Sequence, residues 1–280
     1  MVHDSNKHSI LKETIGNIRR ILGDRTINEL CIERAVCGFR FNGVKLNNGF
    51  GGICYVLKNS ITKSGSCPDD AEIIPDSRKP KGMPVSIILG EMFNGNFLKR
   101  TLGIAAINAL SNTVWSLESS QEYEIVKNAD ALDNIEIKDS DYVVLVGALP
   151  YRTLLKDRGK PFCVLELDPS TFEADELPFY APAEKAPEKV PLADVLIITG
   201  STLVNDTLEG LLELAKPTAR IAMYGPTASM LPEAFFRRGV RVIGGFVVTK
   251  PDKFLDTLGK GGSGRHLFGE SHQKVVIKPK

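Results

Sequence analysis

Apolar residues between Ser9 and Leu22 recur three and four positions apart, at Ile10, Leu11, Ile15, Ile18, Ile21 and Leu22. That spacing winds them onto one stripe of a helix, and Gly23 ends it. From Glu29 to Phe41 the pattern moves toward alternation through Cys31, Ile32, Val36 and Phe39, which predicts a strand. Phe41-Asn42-Gly43-Val44 reads as a hairpin turn, because Asn-Gly accepts positive φ at both central positions. A partner strand from Val44 toward Leu46 and a third strand over Ile53–Leu57 would follow. Residues 60–84 are rich in Ser, Gly, Pro, Asp and Lys, have little periodicity, and predict a long loop. Two helices are expected next, Val85–Met92 and Phe97 to about Trp115. The second is apolar nearly all round, as a helix buried on every side must be. The polar stretch from Glu118 to Asp141 predicts one short helix, around Ala129–Ile135.

Beyond residue 141 the pattern changes. Short β-branched runs at 142–146, 162–165, 195–198, 220–224 and 240–243 alternate with helical stripes at 150–158, 203–215, 228–238 and 251–258. Continuous apolar strands separated by helices predict a parallel sheet covered on both faces. A final strand is expected at 274–278. The fold class is therefore α/β: an α+β region over residues 1–120, then a Rossmann-like domain with a mostly parallel sheet over 121–280.

In such sheets ligands collect beyond the carboxyl ends of the strands. This chain places Gly147 after the first strand, Glu166 and Asp168 after the second, and Thr199-Gly200-Ser201-Thr202 with Asn205 after the third. Gly225-Pro226-Thr227 follow the fourth. Ser201 or Thr202 could cap a helix starting near Leu203, where free N–H groups and hydroxyls would favour an anion. In the first half, Gly49, Gly51 and Gly52 would bare backbone for a tight turn or for a ligand. Asn108 is a polar amide inside the apolar helix and needs a partner there.

Other chemistry is narrowed by what the sequence omits. Glu166 and Asp168 stand about 20 residues after Gly147, where a ribose-binding acid would come. Gly147-Ala148-Leu149-Pro150-Tyr151, however, lacks the GxGxxG fingerprint, so a nicotinamide dinucleotide is not expected as cofactor. The glycine-rich, basic run 259–266 misses P-loop spacing and could close over an anionic ligand as a mobile loop. His3, His8, His266 and His272 show no HxxxH or HExxH spacing, and no GxSxG occurs. Cys67, followed by Pro68-Asp69-Asp70, could offer a thiolate and carboxylates to a metal. The other cysteines, Cys31, Cys37, Cys54 and Cys163, form no CxxC pair and are expected to be free thiols.

The 35 basic residues nearly balance the 34 acidic ones, for a net charge of +1, which argues against a nucleic-acid partner. No apolar run approaches the ~18 residues of a membrane span, and the polar start resembles no secretory signal. The expectation is a cytoplasmic protein without a membrane partner.

The run from Ala193 through Thr199-Gly200-Ser201-Thr202-Leu203-Val204-Asn205-Asp206 to Leu208 resembles the putative heavy-metal chelation domain family. Gly225-Pro226-Thr227, Leu231-Pro232, Gly239-Val240 and Gly244-Gly245 extend the likeness. Leu102–Ala109 and Gly49-Phe50-Gly51-Gly52 look like its companion N-terminal domain. The resemblance implies an enolase N-terminal-like domain followed by a Rossmann-like one. It also implies a ligand site between them, where the Thr199 loop faces the glycine turn, and a divalent or transition metal as the inherited ligand. Three functions follow as expectations. The first is a protein binding a small anionic ligand, a metal or a metal–organic complex. The others are an enzyme acting on a nucleotide-like or phosphorylated molecule in the same cleft, and a homo-oligomeric scaffold.

Overall fold

The computed structural model describes residues 8–38, 40–57, 80–117, 120–148, 150–260 and 269–280. Helix α1 (Ser9–Leu22) and the short α2 (Asp24–Glu29) lead into an antiparallel meander of β1 (Ile32–Cys37), β2 (Phe41–Leu46) and β3 (Gly51–Tyr55). Helices α3 (Val85–Glu91) and α4 (Phe97–Leu117) complete this part. The α4 helix is buried without interruption from Arg100 to Val114 and packs against β2 and β3. Its Ile104, Ile107 and Leu110 are fully buried, each contributing about 1.5–3 kcal/mol of apolar burial.

The second part contains β4 (Tyr123–Lys127), β5 (Val143–Val146), α5 (Tyr151–Asp157), β6 (Phe162–Glu166), β7 (Tyr180–Pro182) and α6 (Ala186–Lys189). Then come β8 (Val195–Thr199), α7 (Leu208–Leu214), β9 (Arg220–Tyr224), α8 (Glu233–Phe236), β10 (Val240–Val248), α9 (Pro251–Gly259) and β11 (His272–Pro279). Strands β7-β6-β5-β8-β9-β10 lie side by side in that order, and all are parallel. The order runs backward along the chain from β7 to β5 and forward from β8 to β10, so it reverses between β5 and β8. Antiparallel β11 and β4 extend the sheet from β10. The meander joins the same sheet through a single pairing, Gly51 with Val248. The protein is thus a mixed α/β structure with a largely parallel sheet.

Local pattern and observed structure part company at several places. Asn42-Gly43 makes no turn but lies inside β2. Asn42 buries its amide to donate to Thr101 Oγ1 at 2.7 Å. A Cβ on Gly43 would stand 2.6 Å from Leu255 and 2.8 Å from Leu258 of α9. Here the glycine serves packing, and β1 and β2 are joined earlier, where Gly38 N donates to Phe41 O at 2.9 Å. The helix expected at 129–135 is only a 3-10 turn, Leu132–Asn134. It follows β4, whose strand form comes from pairing with β11. The helix expected from Leu203 starts at Leu208, because residues 200–203 form a 3-10 turn first. Likewise α8 occupies only Glu233–Phe236 of the expected 228–238. Cys67, most of the 60–84 loop and most of the 259–266 run lie outside the described residues.

Candidate functional site

The carboxyl ends of β5 and β8 flank the strand-order reversal, and the loops leaving them and their neighbours β6 and β9 carry several of the predicted residues. Gly147 adopts φ +97°, and a Cβ there would stand 2.7 Å from Thr199 Cγ2. The two strand ends can approach this closely only with glycine at 147. Thr199 organises its own loop: its Oγ1 accepts from Ser201 N at 3.4 Å and from Ser201 Oγ at 3.1 Å. Its carbonyl accepts from Thr202 Oγ1 at 2.7 Å. The hydroxyls that would cap a helix therefore stabilise a 3-10 turn. Gly200 is buried beside the next loop, where a Cβ would lie 2.9 Å from Ala228 N and 3.1 Å from Thr227 Cβ.

Gly225 (φ +112°) starts that next loop, and its N–H donates to Gly244 O at 2.9 Å. Pro226 and Thr227 offer their carbonyls to Asn108 Nδ2 at 3.1 and 3.2 Å, and Asn108 also donates to Ile53 O at 2.7 Å. Asn108 is thus a bracket between β3, α4 and the Gly225 loop. Among the described residues its Oδ1 is buried without a hydrogen-bond partner. Thr227 Oγ1 accepts from Tyr55 N at 3.0 Å, so the end of β3 is docked on the Gly225 loop.

Across β5, Glu166 ends β6. Its Oε2 accepts from Ala148 N at 2.6 Å, and its Oε1 from Leu167 N at 2.7 Å and more distantly from Asp168 N at 3.4 Å. Asp168 caps the following 3-10 turn by accepting from Ser170 N at 3.0 Å. Tyr55 feels both halves: its phenol is raised above the ordinary value first by burial and then by Glu166, while Arg40 opposes the rise.

Some predicted residues lie elsewhere. Gly49 (φ +86°) turns the chain between β2 and β3, at the far end of β3 from Tyr55. Gly51 faces Pro251 and Val248. A Cβ on Gly52 would stand 2.0 Å from Ala105 O and 2.5 Å from Ala109 N, so its missing side chain admits the α4 backbone rather than a ligand. The N-terminal part meets the Gly225 loop through Tyr55 and Asn108, and the Thr199 loop through Arg100 at Leu203 O, in place of the glycine turn. Asn205 is exposed and accepts from Thr207 Oγ1 at 2.7 Å.

Sequence reasoning missed Tyr55 and a buried lock behind the Thr199 loop. Arg100 of α4 is 7% exposed and donates to Leu203 O through Nε at 3.0 Å and Nη2 at 2.5 Å, and it pairs with Asp206. His8 Nδ1 lies 2.6 Å from Asp206 Oδ1 and 2.8 Å from Arg100 Nη1. Both His8 (φ 63°) and Asp206 (φ 62°) are left-handed. Burial pushes the Arg100 guanidinium down, and Asp206 and Glu209 pull it back up. A lone arginine at the head of an apolar helix was the signal available in the sequence.

Among the described residues, no three His, Cys, Asp or Glu side chains gather as metal ligands. Among the described cysteines, Cys31 and Cys37 lie at the two ends of β1, Cys54 in β3 and Cys163 in β6, and burial pushes Cys37 to about 12 and raises Cys54 and Cys163. Such thiols stay protonated and make poor ligands. The described residues therefore do not fit a resident heavy-metal ion. Nor is any helix among them long and apolar enough to cross a membrane.

Residues 130–277 match one family model and residues 19–111 a second, both described as "putative heavy-metal chelation". An uncharacterized protein of Methanocaldococcus jannaschii is 32% identical over 187 residues, covering 65% of this chain and 67% of the relative. A Pyrococcus horikoshii protein of unknown function from the DUF364 family has a similar structure, with a TM-score of 0.71 and 21% identity. The match covers 96% of this chain and 99% of that one. Another DUF364 protein of unknown function, from Desulfitobacterium hafniense, gives a TM-score of 0.70 and 20% identity over 99% and 100% of the two chains. At these identities the solved structures establish the fold alone. The long matches to both models establish more: this chain belongs to the family described as putative heavy-metal chelation.

Proposed function

We propose that the protein binds a small ligand in the crevice between the ends of β5 and β8, with Tyr55 of β3 on its rim. We read the parallel part as a Rossmann-like domain, supported by its strand order, which is that of doubly wound sheets. The N-terminal part, to about residue 120, is read as enolase N-terminal-like, supported by its antiparallel meander followed by helices. The observation that carries the binding proposal is the convergence of Gly147, Glu166, Thr199, Ser201, Thr227 and Tyr55, drawn from both halves of the chain, on the point where strand order reverses.

The family description suggests a metal. A metal held inside an organic complex suits this crevice better than a bare ion, because the described side chains offer oxygen acceptors and no thiolate set. The second reading is an enzyme acting on a nucleotide-like molecule in the same crevice, and the position of Glu166 at the end of β6 favours it. Thermal-shift titration of the purified chain tests the site, since a ligand that prefers the native state raises its melting temperature. The panel would hold divalent and transition metals, metal–organic complexes, nucleosides and nucleotides. Stabilisation by a panel member that Tyr55→Ala and Thr199→Ala both weaken supports the crevice. Stabilisation that both variants leave unchanged places binding elsewhere.

A further inference from the structure

We propose that the ligand of this crevice carries a vicinal diol and no phosphate: a nucleoside by chemical class, rather than a dinucleotide or phosphorylated sugar. This deepens the crevice reading and rests on it. The argument starts with Glu166, which closes the strand next to β5 on the side away from β8, 19 residues after Gly147. In open parallel sheets of this order, the acid at that place takes sugar hydroxyls. A carboxylate has about four lone-pair positions. Here two are taken by the short bonds from Ala148 N and Leu167 N, and a third only weakly by Asp168 N at 3.4 Å. Accepting capacity for a hydroxyl pair remains, on a carboxylate whose orientation the backbone already fixes.

The same contacts work against phosphate. Anion sites at such turns are made of unspent backbone N–H groups. Gly147 N is bonded to Leu165 O at 2.8 Å, Ala148 N to Glu166 at 2.6 Å and Gly225 N to Gly244 O at 2.9 Å, while Ser201 N is held only weakly by Thr199 Oγ1 at 3.4 Å. An incoming phosphate would find a carboxylate where a dinucleotide fold offers bare N–H. Thr199 Oγ1, accepting twice, adds another acceptor surface. The crevice therefore asks its ligand for hydrogen-bond donors. Tyr55, tied to the neighbouring loop through its N–H on Thr227, brings an aromatic ring, packed edge-on against Phe41, of the kind a nucleobase packs against.

Calorimetric titration of the full chain with adenosine, guanosine, cytidine and uridine, each beside its 2′-deoxy counterpart, and with ADP-ribose tests this. The expected result is binding of at least one ribonucleoside, at least ~10-fold weaker binding of its 2′-deoxy form, and similarly weak binding of ADP-ribose. In Glu166→Gln the ribo-to-deoxy ratio should fall toward one, which a merely structural loss of the Ala148 contact would not single out. ADP-ribose binding as tightly as adenosine, an unchanged ratio in Glu166→Gln, or no nucleoside binding at all would each overturn the inference. In the last case, stabilisation by another compound that Tyr55→Ala abolishes leaves the crevice standing. If no compound's stabilisation responds to Tyr55→Ala or Thr199→Ala, the crevice reading falls with it.

Discussion

Adding one methyl group at Gly52 should unseat the strand that ends in Tyr55. The Gly52→Ala Cβ would lie 2.0 Å from Ala105 O, 2.5 Å from Ala109 N and 3.0 Å from Asn108 Cβ. Two of these atoms are helix backbone and cannot rotate away, so β3 has to move off α4 by an ångström or more to restore contact near 3.4 Å. That movement stretches the bonds from Asn108 to Ile53 O (2.7 Å) and from Asn112 to Gly51 O (2.9 Å). Overpacking alone costs about 1–3 kcal/mol, and weakening two buried hydrogen bonds adds about 1 kcal/mol each. The expected loss is therefore about 3–5 kcal/mol, and at roughly 2–4 °C per kcal/mol the melting point should drop by ~6–20 °C. Gly49→Ala is the internal control, since it meets no atom within 4 Å and carries only the strain of φ +86°, about 1 kcal/mol. Urea denaturation of both variants, followed by circular dichroism, gives the comparison. If Gly52→Ala lost no more stability than Gly49→Ala, the steric account of this glycine would be wrong.

Asp206→Ala leaves the buried Arg100 guanidinium without its carboxylate and should cost about 3–5 kcal/mol. Replacing both, as Arg100→Met with Asp206→Ala, should cost less than the two single losses added together, which a double-mutant cycle in urea checks. Gly147→Ala should destabilise by ~2 kcal/mol or more through its φ and its clash with Thr199 Cγ2. Thr199→Ser removes that methyl group while keeping Oγ1, so it should recover part of the loss in thermal melts. At alkaline pH, Cys37 and Tyr123 are both raised by burial to about 12, from 9.0 and 10.0. Between those values the unfolded chain gives up protons the native protein keeps. The associated stability is thus full below pH ~9 and lost as pH rises toward ~12. Cys37→Ala should flatten the decline of stability between pH 9 and 11, measured by urea midpoints.

The parallel strands β5, β6, β8 and β9 were legible because each is a short apolar run that reads as strand regardless of its neighbours. The same holds for α1, whose stripe is complete within a few turns, and for α4, an apolar run too long to be a strand. The Thr199 loop was also visible, since polar residues directly after a buried strand must lie at a sheet end. Tertiary structure decided the rest. Asn42-Gly43 looked like a turn and became strand because Leu255 and Leu258, more than 200 residues away, needed the space over Gly43. β4 reads as loop alone and is a strand only through β11. Gly52 resembles a bare stretch for a ligand, yet its emptiness is filled by Ala105 and Ala109. Glu166 was placed near the site by counting, but that its carboxylate takes the Ala148 N–H follows only from the pairing of β5 with β6. Periodicity records which face of a segment is buried. Which segment covers that face, and how closely, is set by contacts between residues distant along the chain, and those contacts orient the acceptors at the ends of β6 and β8.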